Sequence, residues 1–149
     1  MEHFIIVRAK KEYIKEIAEI EKQCFSIPWS EKSLEDELSN KKFSMFCAVL
    51  KENGKVIGWS GMSSMFSEGE VANIAVLKDF RNLGAGFALT SALLDEAKRK
   101  NLTSLILEVR ESNQSAKKIY NALGFKEIAL RKNFYDFPKE NGISMIAEL

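Results

Sequence analysis

The sequence predicts one mixed α/β domain over residues 1–149, with a central, mostly antiparallel sheet of about seven strands flanked by four helices. Three observations carry that expectation. Apolar runs with strand spacing and apolar runs with helical spacing replace one another along the whole chain. Asn53-Gly54 separates two strand-like runs, the mark of a tight hairpin. The run from Asn73 to Phe87 (NIAVLKDFRNLGAGF) opens as a strand, passes two glycines and continues as a helix.

Phe4 to Arg8 reads as the first strand. From Lys10 the period changes: Tyr13, Ile14, Ile17, Ala18, Ile20, Cys24 and Phe25 follow helical spacing, with Lys and Glu between them. Pro28 ends that helix, because the residue before a proline disfavours helical backbone. Ser30 is an N-cap for a second helix through Leu34 and Leu38, with Trp29 and Leu34 spaced as a hydrophobic staple. Phe43 to Leu50 and Lys55 to Met65 form the hairpin around Asn53-Gly54. Ser67 to Glu70 reads as a turn before the strand Val71 to Leu77.

The third helix runs from about Gly84 to Lys100, burying Leu89, Ala92, Leu93 and Ala97, and its basic end Lys98-Arg99-Lys100 suits the negative pole. Thr103 to Val109 is a short buried strand. Asn113 to Leu123 is helical, with Ala116, Ile119, Tyr120 and Leu123 on one face and Gly124 as its C′ residue. Phe125 to Leu130 begins a strand, Asp136 to Gly142 reads as a loop, and Ile143 to Leu149 is the last strand.

Composition narrows the chemistry. Lys+Arg 22 against Asp+Glu 21 leaves no broad basic face for nucleic acid. The single histidine, His3, sits at the start of the chain, which disfavours Ser-His-Asp or Cys-His catalysis, and no ligand spacing suits a metal. Cys24 and Cys47 read as reduced core residues. With no signal-peptide pattern and no apolar run of the ~20 residues a membrane span needs, the expectation is a soluble, cytoplasmic monomer.

The run from Asn73 to Phe87 is a place to look for a bound phosphate. A helix N-terminus leaves backbone N–H groups without partners and carries partial positive charge. Glycine lets that backbone approach a pyrophosphate closely. The two glycines alone also fit a plain tight turn. No Gly-Lys-Ser/Thr follows them, and Leu89 stands where the dinucleotide fingerprint needs a third glycine.

Taken with later segments, the run resembles the acetyl-CoA pyrophosphate loop of the GNAT acyltransferase superfamily. The loop is Arg81-x-x-Gly84-x-Gly86. The other segments are Pro28-Trp29-Ser30, Leu107-Glu108-Val109-Arg110-x-Ser112-Asn113, Ile119-Tyr120-x-x-Leu123-Gly124-Phe125 and Arg131 to Tyr135. They are similar to the ribosomal-protein-alanine N-acetyltransferase branch nearly end to end, in the same order.

The resemblance implies direct acetyl transfer from acetyl-CoA, without metal or covalent intermediate, to a protein N-terminus, that of a small-subunit ribosomal protein. It implies that the backbone amides of Asn82, Leu83, Gly84, Ala85, Gly86 and Phe87 hold the pyrophosphate. Ile74, Ala75 and Val76 would offer backbone groups to the pantetheine arm as an added strand does, and Asn113 would contact the cofactor. Glu108 matches the general base and Tyr120 the general acid. Trp29, Phe134 and Tyr135 are candidate walls of the acceptor groove, on two loops.

Read from the residues alone, Glu108 equally suits a strand-end ion pair with Arg110, and Tyr120 a core position. Two departures from the pattern stand out: Phe87 in the phosphate loop, and no acidic dipeptide between Phe137 and Gly142. Transfer to a lysine, a polyamine or another small amine, and an acetyl-CoA-binding module without catalysis, remain open alternatives.

Overall fold

The computed structural model describes residues 3–149; Met1 and Glu2, the first residues of the expected domain, lie outside the described residues. β1 (Phe4–Arg8) is followed by a one-turn 3-10 helix at Lys11–Tyr13, α1 (Ile14–Cys24) and α2 (Glu31–Leu38). Then come β2 (Phe43–Leu50), β3 (Val56–Met65), β4 (Glu68–Val76), a one-turn 3-10 helix at Lys78–Phe80 and α3 (Ala85–Arg99). β5 (Ser104–Arg110), α4 (Gln114–Ala122), β6 (Lys126–Tyr135) and β7 (Glu140–Glu148) complete the chain. Seven strands and four α-helices appear in the order read from the sequence.

The strands form one sheet in the order β1-β2-β3-β4-β5-β7-β6. Every neighbouring pair is antiparallel except β4 and β5. β2 is buried on both faces, so its sequence is a continuous apolar run rather than an alternating one. Met45, Cys47 and Val49 meet Ile14, Ile17 and Trp59 in one cluster. Phe46 and Ala48 meet Leu89, Leu93 and Leu105 in the other. Complete burial of Leu89, Leu93 and Leu105 contributes about 1.5–3 kcal/mol apiece. Ser30 caps α2, its hydroxyl accepting from the Ser33 N–H at 3.1 Å.

Two expectations are corrected. Ser67 to Glu70 is not a turn: the hairpin turns at Phe66 and Ser67, and β4 already starts at Glu68. Gly69 belongs there because a Cβ would stand 3.0 Å from Leu105 and 3.1 Å from Leu102, where β4 meets β5. The last hairpin is also longer than expected, with β6 reaching Tyr135 and β7 beginning at Glu140. Phe134 and Tyr135 therefore end a strand rather than occupy a loop.

The position that makes a site is the seam between β4 and β5. They pair only through Glu68–Glu70 against Ser104–Ile106. Beyond it, β4 stays with β3 as far as Val76, and β5 stays with β7 as far as Arg110. The sheet thus splays into a wedge, with an unpaired strand edge on each wall.

Two carboxylates the helical pattern places among the polar positions are buried. Glu21 is 0% exposed and Glu96 is 3% exposed. Glu96 accepts two bonds from the Arg8 guanidinium at 2.7 and 2.9 Å, one from Arg99 at 2.8 Å and one from Ser44 at 2.7 Å. The Arg8 hydrogen bonds, foremost, hold its carboxyl well below the usual range. A carboxyl depressed on folding stabilises the native state above its unfolded pKa and loses that contribution as pH falls towards the folded value. Glu96→Ala is expected to cost about 1–3 kcal/mol at pH 7, since the exposed Arg8 and Arg99 return to water and buried Ser44 loses its acceptor. Thermal melting from pH 7 to 3 should show the gap from the parent narrowing below about pH 4.5.

Candidate active site

The wedge encloses a cavity of about 780 Å³. Ile74 lies on its β4 wall, with Glu108 on β5, Asn113 just before α4, Tyr120 on α4, Trp29 after α1, and Phe134 and Tyr135 at the end of β6. Seven of the residues singled out in the sequence therefore meet in one space. Ala75, Val76 and Asn82 to Phe87 do not line it.

Glu108 sits opposite Ser144 of β7 in register, and the Ser144 hydroxyl donates to its Oε2. Its Oε1 faces the Arg131 guanidinium at 3.5 Å. The ion pair with Arg110 is not formed. Arg110 turns instead to Glu140 at 3.2 Å and to the carbonyls of Pro138 and Asp136, with its guanidinium 4.5 Å from the Tyr135 ring centre. Glu108 is thus held by two partners on the last two strands, and its carboxylate borders the cavity.

Tyr120 is buried against Phe125 in an edge-to-face pair at 5.8 Å. Among the described residues no group hydrogen-bonds its hydroxyl. Burial, followed by the neighbouring Tyr135, pushes its pKa up to about 12. Tyr135 is pushed up to about 12 as well, by burial first and then by the Glu108 carboxylate. Both phenols stay protonated at neutral pH.

On the opposite wall, Leu77 N–H donates to Ile57 O at 2.8 Å, which sets the direction of alternate backbone groups in β4. Asn73 and Ala75 then turn theirs towards β3, and Ile74 and Val76 towards the open edge. Ala75 is corrected on this point: its backbone is spent in the ladder with Trp59, and its side chain is 5% exposed among the α1 contacts. The Val76 carbonyl is already taken, accepting from Arg81 Nε at 3.0 Å and from the Cys24 thiol at 3.6 Å. What remains on that edge is the Ile74 amide and carbonyl and the Val76 amide.

Beyond the cavity the chain enters α3 through Asn82 (φ 66°) and Gly84 (φ 89°), both left-handed. The first helical bond is Ala88 N–H to Gly84 O, so the amides of Ala85, Gly86 and Phe87 have no carbonyl within the helix. Among the described residues none of the amides from Asn82 to Phe87 has a backbone or side-chain acceptor. A Cβ on Gly84 would meet nothing within 4 Å, so the space above the loop is open, whereas one on Gly86 would press on Ile119 at 3.3 Å. The two glycines do different work: Gly84 supplies the left-handed turn and Gly86 the approach of α4. The unpartnered amides and the positive pole of a 15-residue helix suit a diphosphate. Phe87 is exposed.

Asn113 caps α4, its Oδ1 accepting from Ala116 N–H at 3.1 Å, which leaves the amide Nδ2 as its donor. Trp29 packs at 5.8 Å from Phe43 and 6.1 Å from Trp59, and is half-buried. Phe134 lies under the Arg131 guanidinium at 4.5 Å and over Gly142, where a Cβ would strike its ring at 3.0 Å. The supporting partners Arg131, Ser144 and Arg81 were not assigned roles from sequence, because strand pairing across many residues brings them to the site. Cys24 and Cys47 are both free thiols. No helix in the described residues is long and apolar enough to cross a membrane.

Residues 14–125 match the model of the acetyltransferase (GNAT) family. The chain is 35% identical over 134 residues to a [ribosomal protein bS18]-alanine N-acetyltransferase of Haemophilus influenzae, covering 88% of this chain and 89% of that relative. It superposes on the ribosomal-protein-S18-alanine N-acetyltransferase from Escherichia coli with a TM-score of 0.87 and 30% identity, over 97% of this chain and 93% of the other. The same fold recurs in yncA of Salmonella typhimurium, a structure holding its cofactor acetyl-CoA, with a TM-score of 0.86 at 19% identity over 98% of this chain and 94% of that one.

Proposed function

Since this chain belongs to the acetyltransferase (GNAT) family, we propose that it moves an acetyl group from acetyl-CoA to the α-amino group of an N-terminal alanine, on a small-subunit ribosomal protein. The observation that carries this reading is the wedge between β4 and β5, with Glu108 on one wall and Tyr120 beside it. The relatives named for bS18-alanine N-acetylation direct the choice of acceptor.

Acetyl-CoA supplies the activated acetyl group as a thioester, and the chain's residues do the rest. The amides from Asn82 to Phe87 bind the pyrophosphate at the start of α3. The free backbone groups of Ile74 and Val76 take the pantetheine arm as an added strand, and the Asn113 amide donates to it. Trp29, Phe134 and Tyr135 border the entry of the acceptor. Glu108 accepts a proton from the acceptor ammonium, through a water or directly, which exposes the nitrogen lone pair. The nitrogen bonds to the thioester carbon, the carbon–sulfur bond breaks, and the Tyr120 hydroxyl gives its proton to the departing sulfur. The amide nitrogen sheds its remaining proton to solvent, Glu108 releases the proton it took, and Tyr120 is reprotonated from the same solvent.

The test is an acceptor comparison. The protein is incubated with acetyl-CoA and peptides that differ only in their first residues, and released thiol is followed. The expected result is turnover of an Ala-initiated peptide based on the ribosomal protein bS18 N-terminus at least tenfold above its Nα-blocked, lysine-containing counterpart. Turnover of the blocked peptide or of a polyamine instead overturns the acceptor. Tight binding of acetyl-CoA with no turnover of any amine overturns catalysis.

A further inference from the structure

We propose that Glu21 is a positioning residue that ties the acceptor side of the cleft to the strand beside the thioester; the inference rests on the function proposed above. Glu21 projects from α1 and is 0% exposed. No lysine or arginine pairs with it among the described residues. Its Oε1 accepts from the Trp29 backbone N–H at 2.9 Å, and its Oε2 from the Trp59 indole N–H at 3.0 Å. The Asn73 amide donates to both oxygens at 3.1 Å. Those donors come from three separate places: the segment between α1 and α2, the middle of β3, and β4 where its edge is open.

Trp29 and Asn73 both line the cavity, on segments that make no ladder contact with each other. Glu21 stands behind them and, among the described residues, is the single group that binds both. A carboxylate buried without a counter-ion is costly unless its lone pairs are filled. Here all its neighbours are donors, so the site demands a group that only accepts. Burial raises its pKa, while the bonds from Trp29, Trp59 and Asn73 oppose that rise. Core packing alone is met by any apolar residue of that volume. What a carboxylate adds is a defined separation between the Trp29 segment and β4, and with it the width of the acceptor entrance.

A glutamine at this position has one acceptor oxygen, and its amide nitrogen faces donors. The protein's two tryptophans both bond to Glu21, so intrinsic fluorescence reports on the same contacts. In Glu21→Gln, the KM for the Ala-initiated peptide is expected to rise at least tenfold, with the Kd for acetyl-CoA within about twofold of the parent. Acrylamide quenching of tryptophan emission, measured without ligands, should rise at least twofold. Loss of packing alone lowers the active fraction and kcat and leaves the peptide KM unchanged, which overturns the proposal. A parallel rise in the acetyl-CoA Kd also overturns it. Where Glu21→Gln does not fold, Asn73→Ser cuts the tie to β4 and keeps both tryptophan bonds, and the same KM rise is required of it. If the parent itself acetylates no peptide, the function falls and this inference with it. A turning-over parent with an unaffected peptide KM in the variant overturns this inference alone.

Discussion

Tyr120→Phe is expected to lower kcat by about 10²–10³-fold, at the lower to middle part of the range for a positioned general acid, while the Kd for acetyl-CoA changes less than about threefold. The argument starts from what the hydroxyl does not do. No described residue hydrogen-bonds it, so its removal leaves no buried partner unsatisfied and no large loss of stability. The ring keeps its packing on Phe125. The hydroxyl's contribution is therefore confined to the cavity it borders, and it appears only when sulfur gains negative charge.

The raised pKa refines the expectation. With a value of about 12, Tyr120 holds its proton through any practical assay, so the rate deficit should be the same from pH 6 to pH 9. A thiolate in water, near the ~8.5 of a cysteine, is a weaker base than this phenolate. In the same dry pocket the departing sulfur is also deprived of water, which raises its basicity in parallel. Thermal melting should place the variant within about 2 °C of the parent. A variant with unchanged kcat removes Tyr120 from the mechanism; one whose rate loss matches a loss of folded protein reduces it to packing.

The strand and helix order was legible because the helices bury one face and show their period, while β2 and β3, buried on both faces, stand out as near-continuous apolar runs on either side of Asn53-Gly54. The seam at Gly69 was not: Glu68-Gly-Glu70 has turn composition, and only the approach of Leu105 and Leu102 explains the glycine within a strand. Phe66, with φ 55°, turns the chain in its place and carries no turn signature. β6 is an edge strand exposed along nearly all its length, so Arg131-Lys132-Asn133 reads as loop; Asn133, with φ 53°, interrupts the extended run there, and pairing with β7 resumes at Tyr135. Glu108 and Tyr120 could be picked out by resemblance, but their partners could not. Ser144 reaches Glu108 from 36 residues away and Arg131 from 23. Glu21 was hidden for a plainer reason: a carboxylate on an amphipathic helix reads as solvent-facing, and its three donors lie on other elements.

Glu108→Gln should show how much of the acceptor's deprotonation the protein performs. The side chain keeps its length, and its oxygen can still accept from Ser144, so the fold is expected to hold. Arg131 loses its counter-charge in an exposed pair, worth little by itself. At pH 7 roughly one in seven α-amino groups is already neutral, given a pKa near 7.8, whereas for a lysine the fraction is about one in 2,500. A lost base therefore matters less for an α-amine than for a lysine. We expect kcat/KM for an Ala-initiated peptide to fall about 10²-fold at pH 7, the low end for general base catalysis. The residual rate should then climb with pH up to about 8, following the neutral fraction of the peptide, because solvent must remove the proton in place of the carboxylate. The parent should show a shallower rise. A variant that matches the parent in both rate and pH profile rules out Glu108 as the base. One that loses rate without the steeper pH dependence makes Glu108 an anchor for Arg131 and Ser144 instead. The two α-amine and lysine fractions also bear on selectivity. A carboxylate at the mouth of a splayed sheet needs to do modest work on an N-terminus and far more on a lysine, which is the physical reason to expect this cleft to favour the α-amine.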